Sequence, residues 1–390
     1  MRPVYIAGDN IISSLGITTY DNVAALKGGH VGIRVTSNPR LFPTPVPLSL
    51  VDSALLEDQF RKVLKLNNKS EVSSEFTRLE KFLIISVHEA VSQVQVDVKD
   101  RRTLFVLSTT KGNIDLLEEK QKTVFNPQRI YLWEMARIIA DFFGFSNLPV
   151  IISNACISGI MALMTAYRYL GAGMYDLAVV TGGDILSEFV ISGFQSFQSI
   201  SPTPCRPYDA GRDGLSLGEG AGTMILTTDK DRCDEMVVKI TGAATSNDAN
   251  HISGPSRTGE ELGFAIRNAM KEADLSPDKI GFINAHGTAT PFNDEMESKA
   301  IVHAGLVEVP VNSFKGFWGH TLGAAGLIES IASVHALKEQ VLIRSAGFKS
   351  LGVPEPIHVI EFNEEKSFMS CLKSASGFGG CNAVIVFEKD

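Results

Sequence analysis

Ten short apolar runs alternate with helical patterns along nearly the whole chain, and this alternation restricts the fold more than any other feature. The runs are Val4–Ala7, Thr103–Leu107, Val150–Ser153, Leu177–Thr181, Gly222–Thr227, Val237–Gly242, Gly281–Asn284, Val309–Val311, Lys373–Ser376 and Ala383–Glu388. Between them, apolar residues recur at helical spacing over Arg78–Gln93, Ile157–Leu170, Glu260–Ala273, Asn293–Gly305 and Leu322–Glu339. Strands interleaved with helices in this way predict an α/β architecture.

The charged stretch Asp229–Glu235 is the best boundary in the chain, dividing it into residues 1–232 and 233–390. The two parts read as a weak internal duplication. Each has an apolar strand, a small-residue turn and an amphipathic helix, and each ends in strands beside a glycine cluster, Gly218–Gly222 or Gly377–Gly380. The first cluster precedes a strand, expected over Thr223–Thr227, instead of opening a helix, which argues against a nucleotide-binding fingerprint.

In the first part, Val150–Ser153 runs into Asn154-Ala-Cys156 and then a helix, so the thiol sits where a strand turns into a helix N-terminus. Unpaired N–H groups and the positive dipole end there favour thiolate over thiol. A cysteine in apolar surroundings is more often a buried small hydrophobe, but this one lies past the end of the run, where open α/β sheets place their chemistry. His286 and His320 each lie in a glycine-rich turn directly after an apolar strand. A thiolate facing two imidazoles suits chemistry on a carbon–sulfur ester. The other histidines (30, 88, 251, 303, 335 and 358) have no comparable setting and read as structural.

Composition narrows the function classes. The chain has 390 residues, 44% apolar and 21% charged, with a formal net charge of −8. Such a chain buries a large core without staples, and its acidity argues against general affinity for nucleic acid. The five cysteines (156, 205, 233, 371 and 381) form no Cys-x-x-Cys pair and no zinc-spaced cluster, so no metal is expected. Their odd number and the absence of a secretory leader fit a reducing cytoplasm. Arg168 and Asp176 interrupt the most apolar stretch, so no membrane span is expected.

Five motifs occur in series: Asn154-Ala-Cys-Ile-Ser-Gly159; Cys205-Arg-Pro-Tyr-Asp-Ala-Gly-Arg-Asp-Gly214 running on to Gly218-Glu-Gly-Ala-Gly222; Asn284-Ala-His-Gly-Thr-Ala-Thr-Pro-Phe-Asn-Asp294; Asn312-Ser-Phe-Lys-Gly-Phe-Trp-Gly-His-Thr-Leu-Gly-Ala-Ala-Gly326; and Ser376-Gly-Phe-Gly-Gly380. In this order the chain resembles the β-ketoacyl-acyl-carrier-protein synthases of the chain-elongating, Cys-His-His branch. The resemblance implies a thiolase-like duplicated five-layered α-β-α-β-α fold, usually dimeric. It also implies decarboxylative Claisen condensation of an acyl thioester with malonyl-acyl carrier protein in fatty-acid or polyketide-like biosynthesis.

The site implied by the resemblance has Cys156 as nucleophile and the backbone amides of Cys156 and Phe378 as oxyanion hole. His286 and His320 would donate N–H groups to the enolate oxygen formed when CO₂ leaves. Thr288 and Thr290 would bind the phosphopantetheine arm, and Asp294 would cap the helix near Asn293 while ordering the site from beneath. Lys315 and Glu329 match a buried charged pair of the family, although Lys315 also reads as a surface loop cap. No cofactor is implied beyond the carrier's phosphopantetheine. The expected partners are the acyl carrier protein and a second subunit, either a copy or a related chain. Arg61, Lys62, Lys65, Lys69, Arg78, Lys81, Arg206 and Arg212 would supply a basic rim for the carrier. Ile157, directly after the nucleophile, would narrow or reshape the acyl tunnel, and Asn113–Phe145 reads either as a cap over that tunnel and the dimer seam or as ordinary core.

Two rivals remain. A chain-length-factor-like partner subunit generally lacks the cysteine present here. A thiolase acting on coenzyme A esters uses a second cysteine as base, and Cys381 in Gly-Gly-Cys-Asn does not reproduce that pattern.

Overall fold

The computed structural model describes residues 1–37, 44–69, 73–118, 125–249 and 254–390. Ten strands form one continuous sheet: β1 (Val4–Ile12), β2 (Thr103–Ser108), β3 (Val150–Ile152), β4 (Leu177–Asp184), β5 (Gly220–Thr227), β6 (Val238–Asn247), β7 (Phe282–Asn284), β8 (Val311–Asn312), β9 (Ser370–Gly377) and β10 (Cys381–Lys389). Each overlaps one of the ten apolar runs. The glycine cluster is corrected in one respect, because Gly220 and Gly222 lie within β5 and not before it.

The spatial order is β8-β7-β9-β10-β6-β1-β5-β4-β2-β3. Adding five to each strand number of the first half (β1-β5-β4-β2-β3) reproduces the second (β6-β10-β9-β7-β8). The strand senses repeat as well: β1–β5, β5–β4, β6–β10 and β10–β9 are antiparallel, whereas β4–β2, β2–β3, β9–β7 and β7–β8 are parallel. The halves meet where β1 pairs antiparallel with β6. Duplication is therefore visible in topology, although the sequence shows it only faintly.

Apolar cores fill the space between five layers. On one outer face, α1 (Ser53–Leu66), α2 (Arg78–Val91) and α3 (Leu132–Phe143) pack on the first half-sheet. On the other, α5 (Glu260–Glu272) and α6 (Pro291–His303) pack on the second. Between the half-sheets lie α4 (Ser158–Gly171) and α7 (Ala325–Glu339). Most of α7 is buried, which fits its lack of a polar face.

Gly159 and Gly326 let α4 and α7 touch. A Cβ on Gly159 would lie 2.5 Å from Leu327 N, and one on Gly326 would lie 2.8 Å from Ile160 N. Both central helices therefore begin at the same point, each carrying its preceding turn, and those turns hold Cys156 and His320.

Within Asn113–Phe145, Met135, Ala136, Ile139, Ala140 and Phe142 of α3 are buried in the outer core, and residues 119–124 lie outside the described chain.

Candidate active site

Beyond β3 the chain makes a tight elbow in which Ala155 adopts φ +42°, a value costly for a residue with a Cβ. Ser158 pins it, donating from Oγ to Ala155 O at 2.6 Å and accepting from Asn154 N at 2.8 Å. Cys156 thus stands immediately before the first turn of α4. Ile157 turns the other way, into the central core, so nothing places it across the cavity described below.

The expected thiolate is corrected. Burial pushes the Cys156 thiol up to about 12, although the Lys315 charge pulls against this. Desolvation of the sulfur thus disfavours the thiolate in the unliganded site.

His320 Nε2 lies 3.1 Å from Cys156 Sγ. Leu322 N donates to His320 Nδ1 at 3.3 Å, which leaves the proton of a neutral imidazole on Nε2, directed at sulfur. The ring of His286 is 5.1 Å from that of His320, centroid to centroid, at 86°. Burial, followed by the Lys315 charge, pushes both histidines well below their ordinary pKa, so both are neutral at pH 7. The donor atoms of Cys156, His286 and His320 lie within 4.8 Å of one another, a set that could also hold a soft cation. A nucleophile with two N–H donors needs this same convergence.

His286 is fixed through its backbone. Glu297 accepts from His286 N at 2.7 Å and Gly287 N at 2.6 Å, while Lys315 Nζ donates to His286 O at 2.6 Å. Lys315 is buried and pairs with Glu329 at 2.7 Å, so its reading as a surface cap fails. Glu329 also pairs, at 2.5 Å, with Lys373, which sequence reasoning missed.

Asp294 is corrected in its local role. The helix starts at Pro291 with Thr290 as its cap residue, and Asp294 lies inside the first turn. There it accepts from Tyr208 N at 2.8 Å and Ala289 N at 3.2 Å, tying the Cys205–Gly214 block to the His286 loop. Burial raises its pKa to about 7. Asp184, also missed, accepts from Gly323 N at 2.7 Å and Thr109 Oγ1 at 2.8 Å, joining the His320 turn to the loop after β2.

Cys156, His286 and His320 line a cavity of about 500 Å³ together with Thr288, Thr290 and Phe378. The Thr288 and Thr290 hydroxyls are 2.8 Å apart. Phe378 lies between Phe194, stacked at 5.8 Å, and Phe197, edge-on at 5.2 Å. Behind it, a Cβ on Gly377 would come within 3.1 Å of Cys156 N, so the glycine loop runs against the nucleophile's amide.

The basic rim does not hold as one patch. Arg78 pairs with buried Glu219, Lys81 with Glu57, and Arg212 is enclosed near Asp294. Arg61, Lys62, Lys65 and Lys69 are exposed. His251 lies outside the described residues.

Family models settle the kinship. Residues 1–232 match the beta-ketoacyl synthase N-terminal domain and residues 237–349 its C-terminal domain. The chain belongs to the beta-ketoacyl synthase family. The 3-oxoacyl-[acyl-carrier-protein] synthase 2 of Staphylococcus aureus strain N315 is 29% identical, with 100% of this chain and 98% of that protein covered. Among solved structures, the ishigamide ketosynthase/chain length factor superposes with a TM-score of 0.89 at 23% identity, covering 100% of this chain and 99% of that one. A beta-ketoacyl synthase from Burkholderia phymatum STM815 gives 0.88 at 24%, with both chains fully covered. These structures share the thiolase-like fold.

Proposed function

We propose that this synthase joins an acyl group held on Cys156 to a two-carbon unit from malonyl-acyl carrier protein, in fatty-acid or polyketide-like biosynthesis. One observation carries the reading: a nucleophilic thiol and two neutral imidazoles converge at one cavity, with His320 Nε2 at 3.1 Å from sulfur.

In the first half-reaction Cys156 sulfur attacks the donor thioester. A carbon–sulfur bond forms to Cys156, the bond to pantetheine sulfur breaks, and the thiol proton ends on the leaving sulfur. The His320 N–H stabilises the developing thiolate, and the Cys156 and Phe378 amides receive the tetrahedral oxyanion. In the second, the malonyl carbon–carboxylate bond breaks and its electron pair moves into an enolate whose oxygen accepts from His286 and His320. The enolate carbon then attacks the acyl carbonyl, and Cys156 leaves as thiolate and regains a proton from solvent. Thr288 and Thr290 hold the pantetheine arm, Lys315 with Glu329 anchors His286, and Asp294 supports the loop.

The site residues come from both halves, which we divide between residues 232 and 233. We also propose a two-subunit assembly, with a copy or a related chain extending the sheet at β3. That edge carries no further strand among the described residues, whereas β8 is covered by residues 357–360. Five free cysteines fit a cytoplasmic setting, and among the described residues no helix is long and apolar enough to cross a membrane.

Incubation with acyl- and malonyl-carrier protein tests the function. Wild type should yield a β-ketoacyl product and CO₂, and Cys156→Ala no product. Absence of product from wild type would favour a non-catalytic partner subunit. Condensation of acetyl-coenzyme A without a carboxylated extender would favour a thiolase.

A further inference from the structure

The ion cluster beneath His286 holds one cation more than the Lys315–Glu329 pair requires. Lys373 lies on β9 between Cys371 and Ala375, both of which pack into the central core, and it is fully buried. An apolar side chain would fill this place at lower cost, since an ammonium loses its hydration here.

Lys373 Nζ stands 2.5 Å from Glu329 Oε2 and donates to Ala285 O at 3.3 Å. Lys315 Nζ takes the other carboxylate oxygen and donates to His286 O. Two ammonium groups therefore hold two consecutive carbonyls, those of Ala285 and His286, while Glu297 holds the His286 and Gly287 amides from the other side. Against these two lysines stand two carboxylates, Glu329 in direct contact with both and Glu297 acting on Lys373 through its charge. The ionisable groups around Lys373 are Glu329 on α7, Lys315 on the short helix before His320, Glu297 on α6, Cys371 on its own strand, and the two imidazoles.

We propose that Lys373 is a positioning residue for the decarboxylation step: it fixes the His286 loop and supplies a second buried positive charge near which the extender's enolate oxygen forms. This rests on the condensing reading above. As CO₂ leaves, an electron pair moves onto the thioester oxygen, and a fixed cation stabilises it without transferring a proton. The same charge helps keep both imidazoles neutral, so each retains a single proton for donation. Burial pulls the Lys373 ammonium down to about 8, so this charge is lost in mildly alkaline solution.

The test compares wild type with Lys373→Met in the full-length protein from about pH 6 to about pH 9.5. Cys156 acylation is followed by intact mass and decarboxylation by CO₂ release from malonyl-carrier protein. CO₂ release should fall by about tenfold to a hundredfold, much more than acylation. The wild-type alkaline limb near pH 8 should be absent from the variant. The acid limb should move to higher pH as the imidazoles protonate more readily. Equal CO₂ release, or an equal drop in both reactions with unmoved limbs, would overturn the proposal. If the methionine variant does not fold, Lys373→Gln keeps a hydrogen-bond donor without the charge and should show the same shifts; unmoved limbs there would overturn it. Failure of wild type to acylate Cys156 would instead overturn the condensing reading, and this proposal with it.

Discussion

Replacing Gly159 with alanine would push the two central helices apart, and the consequences can be worked out from backbone distances. Alanine is favoured over glycine inside a helix by up to about 1 kcal/mol, so in an isolated helix the change would stabilise. Here the new Cβ would lie 2.5 Å from Leu327 N and 3.1 Å from both Gly323 O and Gly326 C. Ordinary carbon contacts fall at about 3.5–4.0 Å, and none of these backbone atoms can rotate aside. The helices must separate by on the order of 1 Å, and such overpacking costs about 1–3 kcal/mol. Repulsion thus offsets or outweighs propensity, leaving a net loss of up to about 2 kcal/mol. The same displacement opens the 3.1 Å contact between His320 and Cys156. A misplacement of that size costs about a hundredfold in rate. Urea unfolding reads the first effect and condensation turnover the second. A variant at least as stable as wild type, with undiminished turnover, would refute the reasoning.

Three further outcomes are expected. His320→Ala should still accumulate acyl-Cys156 but release CO₂ at least about a hundredfold more slowly; undiminished malonyl consumption would contradict its role. Gly377→Ala places a Cβ 3.1 Å from Cys156 N and 3.0 Å from Cys381 Sγ, so acylation should slow by about tenfold in single-turnover mass measurements. Burial opposes a charge on His335, but the charge and hydrogen bond of Asp9 outweigh it and raise the His335 pKa, while that of Asp9 is lowered. The His335 contribution is full below its unfolded pKa of about 6.5 and lost as pH rises through its higher folded value. The urea-midpoint gap between wild type and Asp9→Asn should therefore be wider at about pH 6 than at about pH 9, and an unchanged gap would contradict the pairing.

The strands were legible because those in the central sheet are covered on both faces and read as unbroken apolar runs, such as Leu104–Leu107. Cys156 and the histidines were legible from their turns. Lys373 was not, because in Ser370–Gly377 a buried lysine facing α7 has the same period as a solvent-facing one. Glu297, within Asp-Glu-Met-Glu-Ser-Lys, likewise resembles a solvated helix charge until the His286 loop is seen to rest on it. The ionisation of Cys156 was misjudged for a related reason, since its local position shows the helix end but not the depth of burial. Arg78 and Lys81 appeared to belong to a docking rim, because their partners Glu219 and Glu57 lie outside their own stretch of sequence.

The most direct test is a crystal structure of acylated Cys156 soaked with a non-cleavable malonyl-pantetheine amide. The acyl oxygen should accept from the Cys156 and Phe378 amides, and the extender's amide oxygen should lie within hydrogen-bond reach of both His286 and His320. An extender held elsewhere, or an acyl group on any residue other than Cys156, would contradict the account.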